Sequence, residues 1–216
     1  MSLSVGCPRC PAPVGETGDG GWACPEHGVV VPLWHPESTS YDDFAGHLGR
    51  AGAFPTYLPW PLGPGWSVTD FAVAAPRTGD AKATMTCVSG TSALDGPVDV
   101  MVVSEEPGTG LGARIAGLAD AAGRVDPGEE VGEGPPTIKV RVGNHTVGLW
   151  PVSISSSQGE WDRSVVAGEA EGRWLWLVLR PASAILLMRD DWILRDVSAT
   201  GPQLVALPFG GPAPPW

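Results

Sequence analysis

The chain is poor in positive charge. Its 216 residues include 13 lysines and arginines against 24 aspartates and glutamates, which gives a formal net charge of −11. The lysines are limited to Lys82 and Lys139. Proteins that bind nucleic acid draw much of their affinity from lysine and arginine side chains on phosphates. The charge balance therefore argues against nucleic acid as a partner.

Long apolar runs are also missing. The most apolar stretch, Trp174 to Met188, is interrupted by Arg180 and Pro181 and is too short to cross a bilayer. The first residues show neither the basic region nor the apolar region of a secretory signal. The chain has four cysteines, three predicted as metal ligands and one unpaired, and such reduced thiols are typical of a reducing compartment. We therefore expect no membrane span and a cytoplasmic location.

The common short catalytic motifs are absent as well. The sequence contains no G-x-S-x-G elbow, no H-E-x-x-H pair and no Walker phosphate loop. Adjacent carboxylates occur, for example Asp42-Asp43 and Glu105-Glu106. Neighbours in a strand point to opposite faces, so we interpret these pairs as solvated rather than as acid–base dyads. An enzymatic role is not the favoured one.

Three cysteines and one histidine near the N-terminus carry the strongest signal. Cys7 and Cys10 have two residues between them, Cys24 and His27 also have two, and thirteen residues separate the pairs. Thiolates and an imidazole at such spacings can close a tetrahedral site around zinc. Four protein ligands leave no position for a substrate water. We therefore predict a structural zinc ion bound by these four side chains.

Two other interpretations of these cysteines fit the spacing less well. A redox C-x-x-C pair does not call for the second pair, and a disulfide would leave His27 without a role. His35 lies eight residues after His27 and is a rival ligand with poorer spacing. Cys87 stands apart and is interpreted as a small buried side chain in a strand.

Composition divides the chain into four parts. Residues 1–33 form the predicted zinc ribbon, and residues 34–66 form a linker rich in proline and tryptophan. Residues 67–208 form the main domain and residues 209–216 a tail, which is loose unless Trp216 docks. A short helix is predicted over 41–48, capped by Ser40. His47 on that helix is interpreted as solvated. The segment 55–66 is expected to be an extended, unpaired loop because of its four prolines.

The predicted fold class is α+β, with a small N-terminal zinc ribbon followed by a mainly antiparallel β domain that has one or two helices. Alternation in Ile138–Val142, then Gly143-Asn144, predicts a hairpin with the segment 145–150. A second hairpin joins 164–169 to 173–180, which is apolar on both faces and should be central. Further strands are expected at 67–75, 83–89, 98–104, 184–188, 192–196 and 203–207, and a helix at 111–122. Strands cluster instead of alternating with helices, which favours antiparallel pairing.

One glycine-rich turn suggests an alternative function. Gly108 and Gly110 lie between a predicted strand and a predicted helix that contains Gly112 and Arg114. Such a turn loosely matches a dinucleotide fingerprint, in which backbone amides hold phosphate. The alternative is a binder of a nucleotide or acyl-phosphate, or an enzyme, with Arg114 as an anion contact. Two carboxylates just before the glycines would repel phosphate, so this hypothesis is the weaker one.

Five segments together resemble one known family. They are CPRC…WACPEHG, PWPLGPGW, EEPGTGLGARIAG, AGEAEGRWLWLVLRP and ILLMRD. In these segments the chain is similar to an uncharacterised actinobacterial family that pairs an N-terminal C-x-x-C…C-x-x-H zinc knuckle with a β-rich domain. The resemblance covers nearly the whole chain. It implies a cytoplasmic bacterial protein and supplies no activity.

The expected function is that of a non-enzymatic cytosolic zinc-ribbon protein that acts through protein–protein contacts. The partner is unidentified. Trp60 and Trp66, on the proline-rich segment, are candidates for a contact surface because aromatic side chains are enriched in interfaces.

Overall fold

A computed structural model describes residues 3–18, 20–118, 124–129, 131–153, 162–188, 192–199, 204 and 206–216. The strands among these residues are β1 (Leu3–Gly6), β2 (Gly15–Glu16), β3 (Trp22–Cys24), β4 (Gly28–Val29), β5 (Leu33–Pro36), β6 (Tyr57–Pro59), β7 (Ser67–Ala74), β8 (Ala83–Ser92), β9 (Gly96–Glu105), β10 (Ile138–Val142), β11 (His145–Pro151), β12 (Ser164–Ala170), β13 (Arg173–Arg180) and β14 (Ile193–Asp196). The helices are α1 (Tyr41–Ala51), α2 (Leu111–Ala116) and a 3-10 helix, Ala182–Leu187. No helix of these residues is long and apolar enough to cross a membrane.

One large sheet organises the described residues. Its strand order is β1-β5-β7-β8-β9-β13-β12-β11-β10-β14-β6. Neighbouring strands pair antiparallel, except β10 with β14, which pair parallel. The prediction of a mainly antiparallel β fold is therefore confirmed. The predicted hairpins β10–β11 and β12–β13 are also present.

Strand β13 is central, as its sequence predicted. It pairs with β9 on one side and with β12 on the other. Leu175, Leu177 and Leu179 lie in one apolar cluster, whereas Trp176 and Val178 lie in a second cluster on the opposite face. A strand that is apolar on both faces is buried on both faces, and here helix α2 contributes to the cover of the second face.

The sheet curls so that its last strand approaches an early one. The hydroxyl groups of Thr84 and Thr86 on β8 donate hydrogen bonds of 2.6 Å to the carbonyls of Pro55 and Tyr57. Strand β6 thus lies across the face of β8 that points into the curl. The larger apolar cluster fills this space, with Leu58 of β6 completely buried in it.

Helix α1 begins where the sequence predicted. The Ser40 hydroxyl accepts a hydrogen bond of 3.2 Å from the amide of Asp43, which is the expected N-terminal cap. The helix continues to Ala51 and ends at Gly52, whose φ of 61° favours glycine.

The interpretation of His47 as a solvated side chain is wrong. His47 is buried, and its ring stacks on that of Phe44 with centroids 5.5 Å apart and planes 5° apart. Its ring also meets Phe71 edge-on at 5.3 Å. Spacing explains the position, because residues 44, 47, 48 and 51 share the face of α1 that packs on the sheet.

Three predicted elements require correction. The segment 184–188 is not a strand but falls mainly in the 3-10 helix Ala182–Leu187. In the segment 203–207, Leu204 and Ala206 are also in 3-10 conformation, while 203 and 205 lie outside the described residues. Helix α2 ends at Ala116, since Gly117 takes a left-handed conformation with φ of 77°. Positions 119–122 of the predicted helix lie outside the described residues. Short apolar runs fit either period, so pattern alone does not separate strand from helix.

The range 34–66 contributes strands to the large sheet. Strand β5 pairs with β1 and β7, and β6 pairs with β14. The expectation that the proline-rich segment stays unpaired is thus wrong for Tyr57–Pro59, which forms the last strand, where proline is tolerated. The division of the chain at residues 33 and 66 into separate units stays a prediction.

Candidate metal centre

Two tight turns bring the four predicted ligands together. Cys7 and Cys10 follow strand β1 directly, and Cys24 ends β3 of a small antiparallel sheet formed by β2, β3 and β4. His27 lies in the turn between β3 and β4, next to Gly28, whose φ of 66° closes the turn. Local chain reversal thus supplies all four side chains.

The four ligand atoms lie close together. The sulfur of Cys24 lies 3.6 Å from that of Cys10 and 3.6 Å from Nδ1 of His27. The sulfur of Cys7 lies 3.7 Å from the same nitrogen, and all four atoms lie within 4.8 Å of one another. Tetrahedral zinc, with bonds of about 2.3 Å to sulfur and about 2.0 Å to nitrogen, gives edges of about 3.6–3.8 Å. The geometry is therefore compatible with a metal site.

The spacing of the sulfurs also rules out a disulfide in this arrangement. A disulfide bond is about 2.05 Å long, whereas Cys10 and Cys24 are 3.6 Å apart at sulfur and every cysteine is free. The fourth cysteine, Cys87, is completely buried in β8 among apolar side chains, as expected for a packing residue.

Burial and hydrogen bonding act differently on neighbouring thiols. Burial raises the pKa of the Cys10 thiol to about 12. Burial also opposes the charge of Cys24, but the amides of Glu26 and His27 and the His27 ring outweigh it and lower the Cys24 pKa to about 6. The amide of Arg9 donates to the Cys7 sulfur at 3.4 Å. Of Cys10 and Cys24, the Cys24 thiol therefore loses its proton more readily.

Two arginines fasten the metal centre to the turn before α2. The Arg9 side chain donates to the carbonyls of Thr109, at 3.2 Å, and Gly108, at 2.6 Å. In the opposite direction, the Arg114 guanidinium donates to the carbonyl of Cys7. Burial lowers the pKa of Arg114, while the nearby cysteines act in the other direction. The glycine-rich turn and the four ligands thus form one contact region.

The amides of the glycine-rich turn already have an acceptor. Leu111 and Gly112 donate to the carboxylate of Glu105, at 2.7 and 3.2 Å. Glu105 is completely buried, and burial raises its pKa to about 7. The interpretation of Glu105 as a solvated acid is therefore wrong. A phosphate at this turn would have to replace the protein's own carboxylate.

Packing and backbone conformation account for the glycines of this turn. Gly108 and Gly110 have φ of 82° and 86°, which favour glycine. A Cβ on Gly112 would come within 2.2 Å of the Trp176 indole, so the indole requires a residue without a side chain there. These observations explain the sequence pattern without a ligand.

His35 is not part of the metal centre. Its Nε2 lies 2.6 Å from Oδ1 of Asp70, whose other oxygen accepts a bond of 2.7 Å from the Trp216 indole. Trp216 also lies under the Arg114 guanidinium, whose carbon is 4.6 Å from the ring centroid. The tail therefore docks through Trp216. Sequence analysis missed Asp70, although an acid inside an apolar strand is a signal of a buried polar contact.

The fold and the site define a class: a mainly antiparallel β protein with an N-terminal cluster of three cysteines and one histidine that is compatible with a metal. A family model covers nearly the entire chain, residues 1–215. The chain belongs to that family, a family of unknown function (DUF6758). No curated protein and no solved structure matches the chain. The actinobacterial source suggested by the resemblance stays a prediction.

Proposed function

We propose that this chain is a non-enzymatic cytosolic zinc-ribbon protein in which a structural zinc ion supports a β domain that acts through protein–protein contacts. The four ligands would be Cys7, Cys10, Cys24 and His27. The ion would keep the two turns together and would not meet substrate.

The single observation that carries the proposal is the close convergence of four protein ligand atoms: three of their separations are 3.6–3.7 Å, and all lie within 4.8 Å. Sulfur and imidazole donors in this number are typical of structural zinc, whereas catalytic zinc keeps one position open. Cys7, Cys10 and Cys24 are buried as well. Burial keeps water from the ion, so Lewis-acid chemistry on a substrate is not favoured.

Support for a role in protein contacts comes from the surface. The net charge of −11 disfavours nucleic acid as the partner. Several tryptophans are only partly buried where they pack against the larger core, among them Trp60, Trp66 and Trp192. Partly exposed aromatic side chains on a rigid base are typical of interface centres.

The alternative is a small-ligand site at the Gly108–Arg114 turn. The geometry favours it less, because the amides of Leu111 and Gly112 donate to Glu105 and Arg114 donates to the Cys7 carbonyl. A thermal-shift screen with nucleotides, acyl-phosphates and coenzyme A separates the two functions. A shift of several degrees that disappears in Arg114→Ala would favour the ligand site.

Metal analysis of the purified protein tests the zinc proposal. We expect one zinc ion per chain, lost in the combined variant Cys7→Ser and Cys24→Ser. Cys87→Ser is the matched control, since this cysteine is buried in β8 away from the cluster and should leave the metal content unchanged. X-ray absorption at the zinc edge should report three sulfurs, one nitrogen and no water. A metal-free protein in which the segment 7–28 stays folded, or an ion with a water ligand, would contradict the proposal.

A further inference from the structure

A groove lined by tryptophan and proline lies where the proline-rich segment meets β14 and the 3-10 helix. Its volume is about 350 Å³, and we call it the indole groove. The residues that shape it are Trp60, Pro61, Leu62, Trp66, Leu187 and Trp192. Its size and apolar lining are those of a ligand or peptide site.

The indole groove is preformed. Its tryptophans and leucines pack from behind against the larger buried core. Trp66 is held closely, because its ring covers Gly90 so tightly that a Cβ there would lie 2.3 Å from the indole. A surface that is already ordered loses little conformational entropy when it binds.

The indoles of the groove have unused hydrogen-bond donors. Among the described residues, no acceptor meets Nε1 of Trp60, Trp66 or Trp192, whereas the indoles of Trp34 and Trp150 donate to backbone carbonyls. An occupant of the groove should therefore offer acceptors. Tryptophans at interfaces typically combine an apolar ring contact with such a bond.

The backbone beside the groove is poorly suited to pairing with a β-strand of a partner. Strand β6 is the last strand of the sheet, and Pro59 and Pro61 have no N–H to donate. Trp60 between them already donates its amide to the carbonyl of Ile193, inside the sheet. Addition of a strand from a partner requires regularly spaced donors on the edge, and this edge lacks them.

One cation without a carboxylate partner lies beside an indole of the groove. The guanidinium carbon of Arg195 lies 4.7 Å from the centre of the Trp60 ring. Within the described part of the chain, no acid pairs with this arginine. On a chain with a net charge of −11, an arginine that no described acid pairs, over a partly exposed indole, favours a negative group from outside.

We propose that the indole groove binds a proline-rich segment of a partner protein in polyproline II conformation, with an acidic residue beside the prolines that pairs with Arg195. Such segments present unpaired carbonyls and few N–H donors, which matches the free indole donors. Their rings pack on aromatic-lined grooves. The proposal rests on the proposed role in protein contacts and names the kind of partner.

The test uses the intact, metal-loaded protein and a fluorescein-labelled peptide, Pro-Pro-Leu-Pro-Pro-Glu, with blocked ends. In ¹⁵N NMR spectra, the indole N–H signals of Trp60, Trp66 and Trp192 should shift as the peptide is added. Those of Trp34 and Trp150 should stay in place, because their donors are already bonded within the protein.

Two variants test the contacts by fluorescence anisotropy. Arg195→Glu should weaken binding about tenfold, as expected when an exposed attraction becomes a repulsion. Arg50→Glu makes the same charge change beside a different indole, that of Trp34, which does not line the groove, and should leave affinity unchanged. Gly90→Ala should displace the Trp66 indole and weaken binding about thirtyfold, as loss of a central aromatic contact does.

Three results would overturn the groove proposal. They are an absence of indole shifts at saturating peptide, equal affinity for a peptide with alanine in place of every proline, and indole shifts that depend on protein concentration alone, which would identify a second copy as the occupant. None of them bears on zinc content or on contacts made elsewhere on the protein. A failure here therefore differs from a failure of the proposed function.

Discussion

One buried imidazole, that of His47, should contribute a loss of stability in mild acid. The ring lies between α1 and the sheet, stacked on Phe44 and edge-on to Phe71. Nδ1 of this ring has no partner among the described residues, and Nε2 lies 3.5 Å from the hydroxyl of Thr56. Burial lowers the pKa of His47 from 6.5 to about 3, so the folded protein holds this ring neutral.

The sign and size of the effect follow from proton linkage. Below pH 6.5 the unfolded chain takes up a proton at this position and the folded chain does not, so stability falls as the pH falls. Each pH unit corresponds to about 1.4 kcal/mol until the folded pKa is reached. Between pH 7 and pH 5 the loss attributable to His47 is therefore about 2 kcal/mol.

Glu105 acts in the opposite direction over the same range. Its pKa is raised from 4.5 to about 7, so the folded protein binds a proton that the unfolded chain has released. Stability from this group rises as the pH falls from 7 to 5. The two contributions largely cancel in the wild-type protein, and only a comparison with variants separates them.

His47→Leu is the appropriate perturbation, because leucine has a similar volume and does not titrate. Urea unfolding at pH 7 and pH 5 should show that the variant gains about 2 kcal/mol relative to wild type on acidification. Protonation of the metal ligands at pH 5 affects the variant and the wild type equally, so it cancels in the difference between their free energies of unfolding. Exposed His145→Leu is the control and should follow wild type. Equal pH dependence of His47→Leu and wild type would refute the argument.

Three further changes test other parts of the fold by urea unfolding. Gly168→Ala should lower the free energy of unfolding by about 3 kcal/mol or more, because its Cβ would lie 2.1 Å from a carbonyl oxygen of β11. The control Gly15→Ala has open space around its Cβ and should change that free energy by less than about 0.5 kcal/mol. Similar values for both variants would contradict the packing. Glu105→Gln should remove the group that gains stability in acid, so that it loses about 2 kcal/mol relative to wild type between pH 7 and pH 5; parallel pH curves would exclude the raised pKa. Trp216→Phe should cost about 1–3 kcal/mol, because buried Asp70 loses a donor; unchanged stability would show that the tail does not dock through this bond.

Features with local causes were predictable from the sequence. The four metal ligands converge through two short turns, so their spacing alone indicated the cluster. The central position of β13 was predictable because its residues are apolar on both faces. The β10–β11 hairpin was predictable from its Gly143-Asn144 turn. In each case the relevant contacts lie within a few residues or follow from a period of two.

Polar residues with distant partners were not predictable. His47 and Glu105 both looked exposed, yet the fold buries them, the first between α1 and the sheet and the second beneath the amides of α2. The bond between Trp216 and Asp70 joins residues 146 positions apart. Pattern analysis reports which side chains prefer burial, but it does not report which polar group will find a partner across the chain. The indole groove has the same origin, because Trp60 and Trp192 line one groove only after β6 pairs with β14.

The place where the metal-cluster segment joins the large sheet limits how far unfolding of that segment can extend. The segment leaves the large sheet after Gly6 and returns at Leu33, and these two residues face each other in the β1–β5 ladder. The excursion is therefore a closed lobe whose two stems are fastened side by side. Opening of this lobe is a local event that leaves β9 and β13 paired, so its amides should exchange with solvent deuterium by a route of lower free energy than global unfolding. We therefore expect the N-terminal lobe to lose order while the rest of the sheet persists.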